Sequence, residues 1–419
     1  MSRKLVAAIQ EQSIPLDDPA AFDQLLQEIG DAKIVMIGEA THGTSDFYRL
    51  RAEFSKRLIQ EKGFAAIAVE GDWPSVYAIN RFVKGYDSQP QPVKELLISS
   101  FGRWPAWMWA NEDVEWFVSW LAKENQQRTP DSKIGFYGID LYSLYESIDE
   151  VVNFLESNPS YGTDLELAKK AFSCLEPYNR MPEHYALSSA HFTDECIAEV
   201  TSLLQSIRSN EQRYPQAHEQ DLNLEMNALA AKNAEAYYRA MLQDDALSWN
   251  IRDTHMVEAI KEIQSYYGED AKIIVWEHNT HVGDAAATSM ADQGLTNVGQ
   301  LIREQYGRKH TYAIGFGTYE GTVIAGSSWG ETPEEMNIPP TRFNTWEGQL
   351  HAAGAQDKLL LFNDKNRKQF DEWIGHRAIG VVYNPEFEAY GNFVPSRVSE
   401  RYDAFLYIDR SSALRPLSW

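Results

Sequence analysis

Four short apolar runs in this chain each stop at acids or histidines, and that arrangement narrows the folds open to it. Lys33–Ile37 leads into Gly38-Glu39-Ala40-Thr41-His42-Gly43. Phe64–Val69 ends at Glu70-Gly71-Asp72-Trp73, and Ile134–Ile139 ends at Asp140. Ile273–Trp276 ends at Glu277-His278-Asn279-Thr280-His281. Short bounded apolar runs read as strands buried on both faces, the pattern of a parallel sheet. In open parallel sheets the ligand crevice lies beyond the carboxyl ends of the strands. The four clusters are therefore expected to converge on one edge as an active site.

The rest of the chain fits around such a sheet. After the first cluster, Thr44 or Ser45 caps a predicted helix running to about Lys62 and stopped by Gly63, with Phe47, Leu50, Phe54 and Leu58 on one face. Phe64–Val69 follows at once, so this pair should be parallel with a right-handed crossover. From about Leu141 to Gly268 the apolar spacing turns helical throughout, as in Leu141, Leu144, Ile148, Val151 and Leu155. Strands are predicted again at Thr311–Phe316, Thr322–Ala325, Leu359–Phe362, Ala378–Tyr383 and Ala404–Ile408. The fold class expected is α/β, a mainly parallel central sheet flanked by helices and interrupted by a helical insert. Residues 1–140 form the first part of the core, 141–268 the insert and 269–419 the second part. Pro333, Pro339 and Pro340 read as a surface loop.

Charge excludes some partners. The net charge of −23 repels a nucleic-acid backbone or an anionic membrane unless a local basic patch intervenes, and Lys and Arg are scattered singly or in pairs. The N-terminal stretch lacks the apolar length of a signal peptide, and no segment approaches the ~20 apolar residues of a membrane span. Cys174 and Cys196 read as buried reduced thiols rather than a disulfide, and the protein is expected in the cytoplasm.

Within the clusters, His42 is the candidate general base. An imidazole with a pKa near 6.5 accepts a proton from water at neutral pH and returns it later. Its glycine-flanked turn brings backbone close to a ligand, and the following helix N-terminus disfavours imidazolium. Glu39 and Glu70 close adjacent predicted strands, so both carboxylates can reach His42, one orienting the ring and the other handling water or the leaving oxygen. Asp140 also ends a strand. Arg51 sits about 40° from Phe47 around the helix axis and leans toward the His42 turn. There it can pair with Glu39 or Glu70, or stabilise an oxyanion. His278 and His281 carry three readings. With Glu39, His42 and Glu70 they can ligate a divalent metal; without metal they can stabilise a developing oxyanion; or they are structural.

Two other signals compete. Gly326-Ser327-Ser328-Trp329-Gly330 fits the nucleophile elbow of serine esterases, with His351 and His376 downstream, but an elbow must open into a helix and the prolines after it leave barely one turn. Trp109, Asp113, Trp116 and Trp120 step at helical spacing in a Trp-rich stretch that also holds Trp104 and Trp107. These rings, with Trp73, either pack the core or line an apolar substrate pocket.

Taken together, the Gly38–Gly43 motif, Arg51 nine residues after His42, Ala68-Val69-Glu70, Gly138-Ile139-Asp140, Arg252-Asp253 and His278-Asn279-Thr280-His281 resemble the erythromycin esterase family in order and rough spacing. The resemblance implies an α/β core whose helical portion forms one side of a deep active-site cleft. It implies hydrolysis of a carboxylic ester, which in the antibiotic-resistance enzymes is the lactone of a 14-membered macrolide. It makes His42 the base that activates water, sets Glu39, Arg51, Glu70, His278 and His281 around it, and brings Arg252 into the site. Asp46 stands where the resistance enzymes usually carry Glu, and Glu277 where a small residue usually precedes the His-Asn-x-His motif. Those departures align the chain with the family's broad branch. The reading taken forward is an esterase with no covalent intermediate and no cofactor. It acts on a small-molecule ester bound by Arg252, Asp140, Trp73 and Trp107, with no nucleic-acid or membrane partner. A metal-assisted hydrolase using Glu39, His42, Glu70, His278 and His281 on a non-macrolide substrate, and a non-catalytic small-molecule binder, are the alternatives.

Overall fold

The computed structural model describes residues 2–158, 162–192, 195–209 and 219–418. It divides into two compact units, one of Met1–Ile67, Arg81–Gly135 and Lys272–Trp419, the other of Ala68–Asn80 and Phe136–Ala271. The strands, in chain order, are β1 (Ile14–Pro15), β2 (Ile34–Ile37), β3 (Ala66–Asp72), β4 (Gly135–Asp140), β5 (Ile273–Trp276), β6 (Thr311–Ala325), β7 (Glu334–Ile338), β8 (Lys358–Leu361), β9 (Ile374–Arg377), β10 (Phe393–Ser396) and β11 (Ala404–Ser411).

In the first unit the sheet runs β1-β8-β11-β6-β2-β5, with β7 attached to β6. β2 lies parallel to both β5 and β6, Ile34 standing opposite Ile273 and Thr311, and β11 is parallel to β6. β8 pairs antiparallel with β1 and β11, and β7 with β6, while β9 and β10 form a separate antiparallel pair. The result is a mainly parallel sheet flanked by helices. Every residue of β2 and β5 is buried. Each such aliphatic side chain contributes about 1.5–3 kcal/mol over its exposed state, so the centre of the sheet holds the strands that deliver Glu39, His42, His278 and His281.

Several expectations give way here. Thr311–Phe316 and Thr322–Ala325 are one strand, β6. Gly315 and Gly317 in this strand lie under the rings of Tyr402 and Phe405, where a Cβ would come within 2.8 Å. Ala378–Tyr383 is no strand and makes only the bridges Thr41↔Ile379 and Gly326↔Val382. Its backbone serves the His42 turn instead, Ile379 donating to Ala40 and accepting from His42. The proline-marked loop contains β7, a short, mostly exposed edge strand, the placement prolines tolerate. Gly326–Gly330 is the tip joining β6 to β7, with Trp329 69% exposed, and no helix follows it. The elbow reading fails there.

The second unit takes up β3 from Ala68 onward and β4 from Phe136, which are hydrogen-bonded neighbours. Its helices include Leu144–Glu156, Gly162–Leu175, Pro182–Phe192, Ile197–Ser209, Gln220–Met241 and Asp245–Tyr267. Gln220–Met241 packs against four of them, and its buried Ala228, Ala230, Ala231 and Ala234 allow that close approach. Cys174 and Cys196 form a disulfide, correcting the expectation of reduced thiols. Their Cα atoms are 5.9 Å apart, inside the range a disulfide spans, because Gly162–Leu175 and Ile197–Ser209 pack together. Among the described residues no helix is long and apolar enough to cross a membrane.

This unit carries a built-in acid sensitivity. His255 is buried and its Nδ1 faces Asn233 Nδ2 at 3.0 Å. Burial pushes the imidazole down to about 4, against the opposite pull of Asp140 and Glu258 and with a small assist from Lys232. In the unfolded chain the ring takes its proton near pH 6.5. The stability tied to the neutral ring is therefore present above that pH and lost as pH falls toward 4, a loss of about 3 kcal/mol. His255→Gln is expected to flatten that acid limb, read by helical circular dichroism against denaturant at successive pH values. An unchanged limb would assign the acid sensitivity elsewhere.

Candidate active site

The site is built on the turn between β2 and the helix Ser45–Lys62. That helix begins after Thr44, in extended conformation, and ends at Gly63, left-handed at φ 71°. Asp46 in its first turn and Lys62 in its last complement the helix dipole. The motif's two glycines are steric requirements. A Cβ on Gly38 would lie 2.2 Å from Asn279 Oδ1, and one on Gly43 would lie 1.9 Å from the Ile324 carbonyl oxygen. Gly43 O accepts the N–H groups of Ile324 and Leu414, while His42 N–H donates to Ile379 O at 3.3 Å. The turn is pinned from both sides before any ligand arrives.

Three side chains on this turn and helix form a line. Arg51 Nη2 meets Glu39 Oε2 at 2.9 Å, and Glu39 Oε1 meets His42 Nδ1 at 2.9 Å. Arg51 is fully buried, Glu39 nearly so, and the His42 side chain retains 10% exposure. Of the two acids open to Arg51 from sequence, Glu39 is its partner. The guanidinium is also stacked over Tyr48 at 4.3 Å and lies 5.2 Å from the Trp276 ring centre. Ring faces supply part of the stabilisation that water would otherwise give the charge. A carboxylate accepting at Nδ1 puts the ring proton there, so the lone pair sits on Nε2.

The opposite assignment holds for His278. It caps the short helix Asn279–Val282, and its Nδ1 accepts from the Thr280 N–H at 3.3 Å and lies 2.8 Å from Thr280 Oγ1. A ring whose Nδ1 accepts carries its proton on Nε2, as a donor. The His42 and His278 ring centres are 4.8 Å apart. The neighbouring imidazoles thus hold complementary roles, one with its lone pair and one with its hydrogen on Nε2. His281 is buried in the same helix, and Glu277, fully buried, closes β5.

Glu70, Asp140 and Arg252 meet in the second unit. Arg252 grips Asp140 with two bonds, Nε to Oδ1 at 2.9 Å and Nη2 to Oδ2 at 2.7 Å, and its Nη2 also reaches Glu70 Oε1 at 2.8 Å. Burial opposes the arginine's charge, but Asp140, Tyr142 and Glu70 together hold its pKa well above the usual value. Trp73 is buried between Tyr77 and Tyr137, stacked on both, with its Nε1–H on Asn223 Oδ1 at 2.8 Å. That is a core position with its polar end satisfied.

Trp107 is buried in the first unit, its Nε1 without a hydrogen-bond partner among the described residues. The expected Trp stripe is not one helix face. The helix starts at Glu112, so Trp109 precedes it and packs edge-on against Tyr48, while Trp116 is 42% exposed under Lys56. Asp113, between them, instead holds Arg49 and Ser45.

Among the described residues no three His, Cys, Asp or Glu side chains are gathered as a metal ligand set. Glu39 already engages His42 and Arg51 with its two oxygens. Two buried residues outside the expected site, His376 and Glu347, stand behind the histidine motif through its Asn279. Asn279 Nδ2 faces His376 Nε2, and His376 Nδ1 faces Glu347 Oε1. Separations of 97 and 29 residues leave no local pattern from which to read them.

With this geometry in hand, comparison places the chain. The family profile described as erythromycin esterase matches residues 59–411. An Escherichia coli protein named erythromycin esterase type II is 20% identical over 84% of this chain and 85% of its own length. A solved structure titled as a succinoglycan biosynthesis protein superposes with a TM-score of 0.80 at 19% identity, covering 99% of this chain and 98% of that one. An erythromycin esterase mutant, EreC, in its open conformation superposes with a TM-score of 0.64 at 16% identity over 93% of each chain. At such identities the structural likeness establishes the fold alone.

Proposed function

We propose that this chain, which belongs to the erythromycin esterase family and with it to the hydrolases, cleaves a carboxylic ester with water activated by His42. The observation that carries this reading is the Arg51–Glu39–His42 line, in which Glu39 holds the His42 ring at Nδ1 and turns its other nitrogen away from the carboxylate, beside His278. His42 Nε2 takes a proton from water as its oxygen bonds to the ester carbonyl carbon. The carbonyl electron pair moves to oxygen, and the His278 Nε2–H stabilises the resulting oxyanion. Glu39 stabilises the imidazolium formed at His42, and Arg51 acts through Glu39 as a positioning residue. When the tetrahedral species collapses, the carbon–oxygen bond breaks and His42 returns its proton to the leaving alkoxide. One ester and one water give an acid and an alcohol, with no covalent enzyme intermediate.

For substrate class, the names of the relatives supply the first candidate. Two of them are called erythromycin esterases, so a 14-membered macrolide lactone heads the list, followed by other carboxylic esters. Arg252, oriented by Asp140 and Glu70, is proposed as a substrate-binding group. The direct test is mass spectrometry of erythromycin and a panel of esters incubated with the enzyme, with and without chelator. The expected result is a gain of one water that persists in chelator. Loss of turnover in chelator, restored by one divalent ion, would overturn the metal-free step; no turnover of any ester would overturn the esterase reading.

A further inference from the structure

We propose that His376 and Glu347 are positioning residues for the His278-Asn279-Thr280-His281 segment, fixing its orientation through the side chain of Asn279. The inference rests on the functional reading above for its kinetic consequence, but the geometry stands by itself.

The helix Asn279–Val282 is four residues long, a single turn that has no stability of its own. Something outside it must set the angle at which it presents His278 and His281. Asn279 supplies that link. Its backbone N–H donates to Glu39 O at 2.9 Å, tying the segment to the His42 turn. Its backbone O accepts from Arg401 Nη2 at 2.9 Å. Its side chain exchanges two bonds with one residue of β6, Nδ2 donating to Phe316 O at 2.7 Å and Oδ1 accepting from Phe316 N at 3.2 Å.

That exchange uses one amide hydrogen and leaves the other. The remaining hydrogen points to His376 Nε2 at 3.2 Å, and an amide nitrogen can only donate. His376 Nε2 must therefore be an unprotonated acceptor, with the ring proton on Nδ1. Glu347 enforces that tautomer, since its Oε1 lies 2.6 Å from His376 Nδ1 and, at 2.9 Å, also accepts the Arg377 N–H. Were His376 protonated at Nε2, two donors would face each other and Asn279 would lose this one of its side-chain bonds, the one that sets the second amide hydrogen.

The surroundings favour the neutral ring. Burial lowers the His376 pKa against the pull of Glu347, with Arg401 and Arg377 adding to the lowering. The neighbours of His376 on other elements are Glu347 on Trp346–Ala352, Arg401 and Tyr402, whose ring stands edge-on at 5.8 Å, and Phe405 of β11 at 5.2 Å. His376 and Glu347 are themselves wholly buried. Neither can exchange a proton with a substrate, so the pair acts through Asn279 rather than on the reacting atoms. Burying the Glu347 carboxylate carries a desolvation cost that its hydrogen bonds only partly offset, so stability alone gives little reason for the pair. Fixing a hydrogen-bond direction gives one.

The test compares His376→Leu with His376→Gln in the full chain. Glutamine can offer Oε1 to the Asn279 amide where the imidazole did; leucine cannot. His376→Leu is expected to lower kcat by about 10²-fold, the scale of a 1 Å misplacement, with KM changed less than threefold, and His376→Gln to recover most of it. In parallel, ¹⁵N-histidine NMR is expected to show the His278 ring leaving its single Nε2–H tautomer in the leucine variant and regaining it in the glutamine variant. If both variants keep the wild-type His278 signal, or lose kcat equally and only in step with their melting temperatures, the positioning role is overturned. Should the wild-type enzyme hydrolyse no ester, the NMR comparison still decides this proposal while the functional reading falls separately.

Discussion

Replacing His42 with alanine is expected to lower kcat for any hydrolysed ester by about 10²–10⁴-fold, the contribution of a well-placed general base. The fold should survive the change. His42 sits on a turn held by backbone bonds from Gly43, Ala40 and Ile379 rather than by its own ring. Its removal leaves Glu39 still paired with Arg51 at 2.9 Å and lacking one donor at Oε1, a cost of about 1–3 kcal/mol at most for a group so close to the ring's vacated space. Kinetics and thermal melting therefore separate cleanly. A fall in kcat of that size in a variant that stays folded, with a melting temperature lowered no more than this cost accounts for, supports the base; full turnover by the alanine variant would remove His42 from the mechanism. Free imidazole added to this variant offers a second readout, since partial rescue points to a missing proton acceptor rather than to a displaced loop.

What the sequence made legible here was whatever is encoded locally. β2 and β5 could be placed because each is apolar at every position, as burial on both faces demands. The helix Ser45–Lys62 could be placed because its start and stop residues are adjacent to its apolar stripe. The line from Arg51 to His42 follows from the same locality: Glu39 and His42 are three residues apart on one turn, and Arg51 faces back toward it from the next helix. Sequence left both Glu39 and Glu70 open as partners. The choice between them depends on which arginine each meets, and Arg252 lies 182 residues from Glu70.

What stayed hidden depends on distant partners. The continuity of β6 is hidden because Gly315 and Gly317 are required by Tyr402 and Phe405, which reach it from far along the chain. Ala378–Tyr383 has a strand's composition, but its N–H and C=O groups are claimed by the Gly38–Gly43 turn and by Gly326. The disulfide forms because two helices of the second unit pack, a fact that two cysteines 22 residues apart do not announce. Trp73 and Trp107 look alike as aromatic residues in the sequence. They differ in that Asn223 satisfies the indole of the first, while the second has no such partner among the described residues. Each case is tertiary context overriding a local signal.

The second large effect concerns the ion pair beneath the base. Arg51→Met is expected to destabilise the first unit by about 3–5 kcal/mol, because methionine can fill the volume beside Tyr48 and Trp276 but leaves the Glu39 carboxylate buried without its counter-charge. Glu39→Gln should also destabilise, by stranding the fully buried guanidinium. The double variant removes both charges and leaves an amide oxygen able to accept the His42 Nδ1–H, so its loss should be smaller than the sum of the two singles by about 0.5–3 kcal/mol. Activity should not follow stability. The imidazolium that forms at His42 during turnover needs the charge of Glu39, so kcat is expected to stay low in the double variant even as its melting temperature recovers. Denaturant unfolding of all four proteins, with kcat measured on each, distinguishes the outcomes. Additive stabilities would mean that Arg51 and Glu39 do not act as a pair, and a double variant with restored kcat would show that His42 works without the carboxylate behind it.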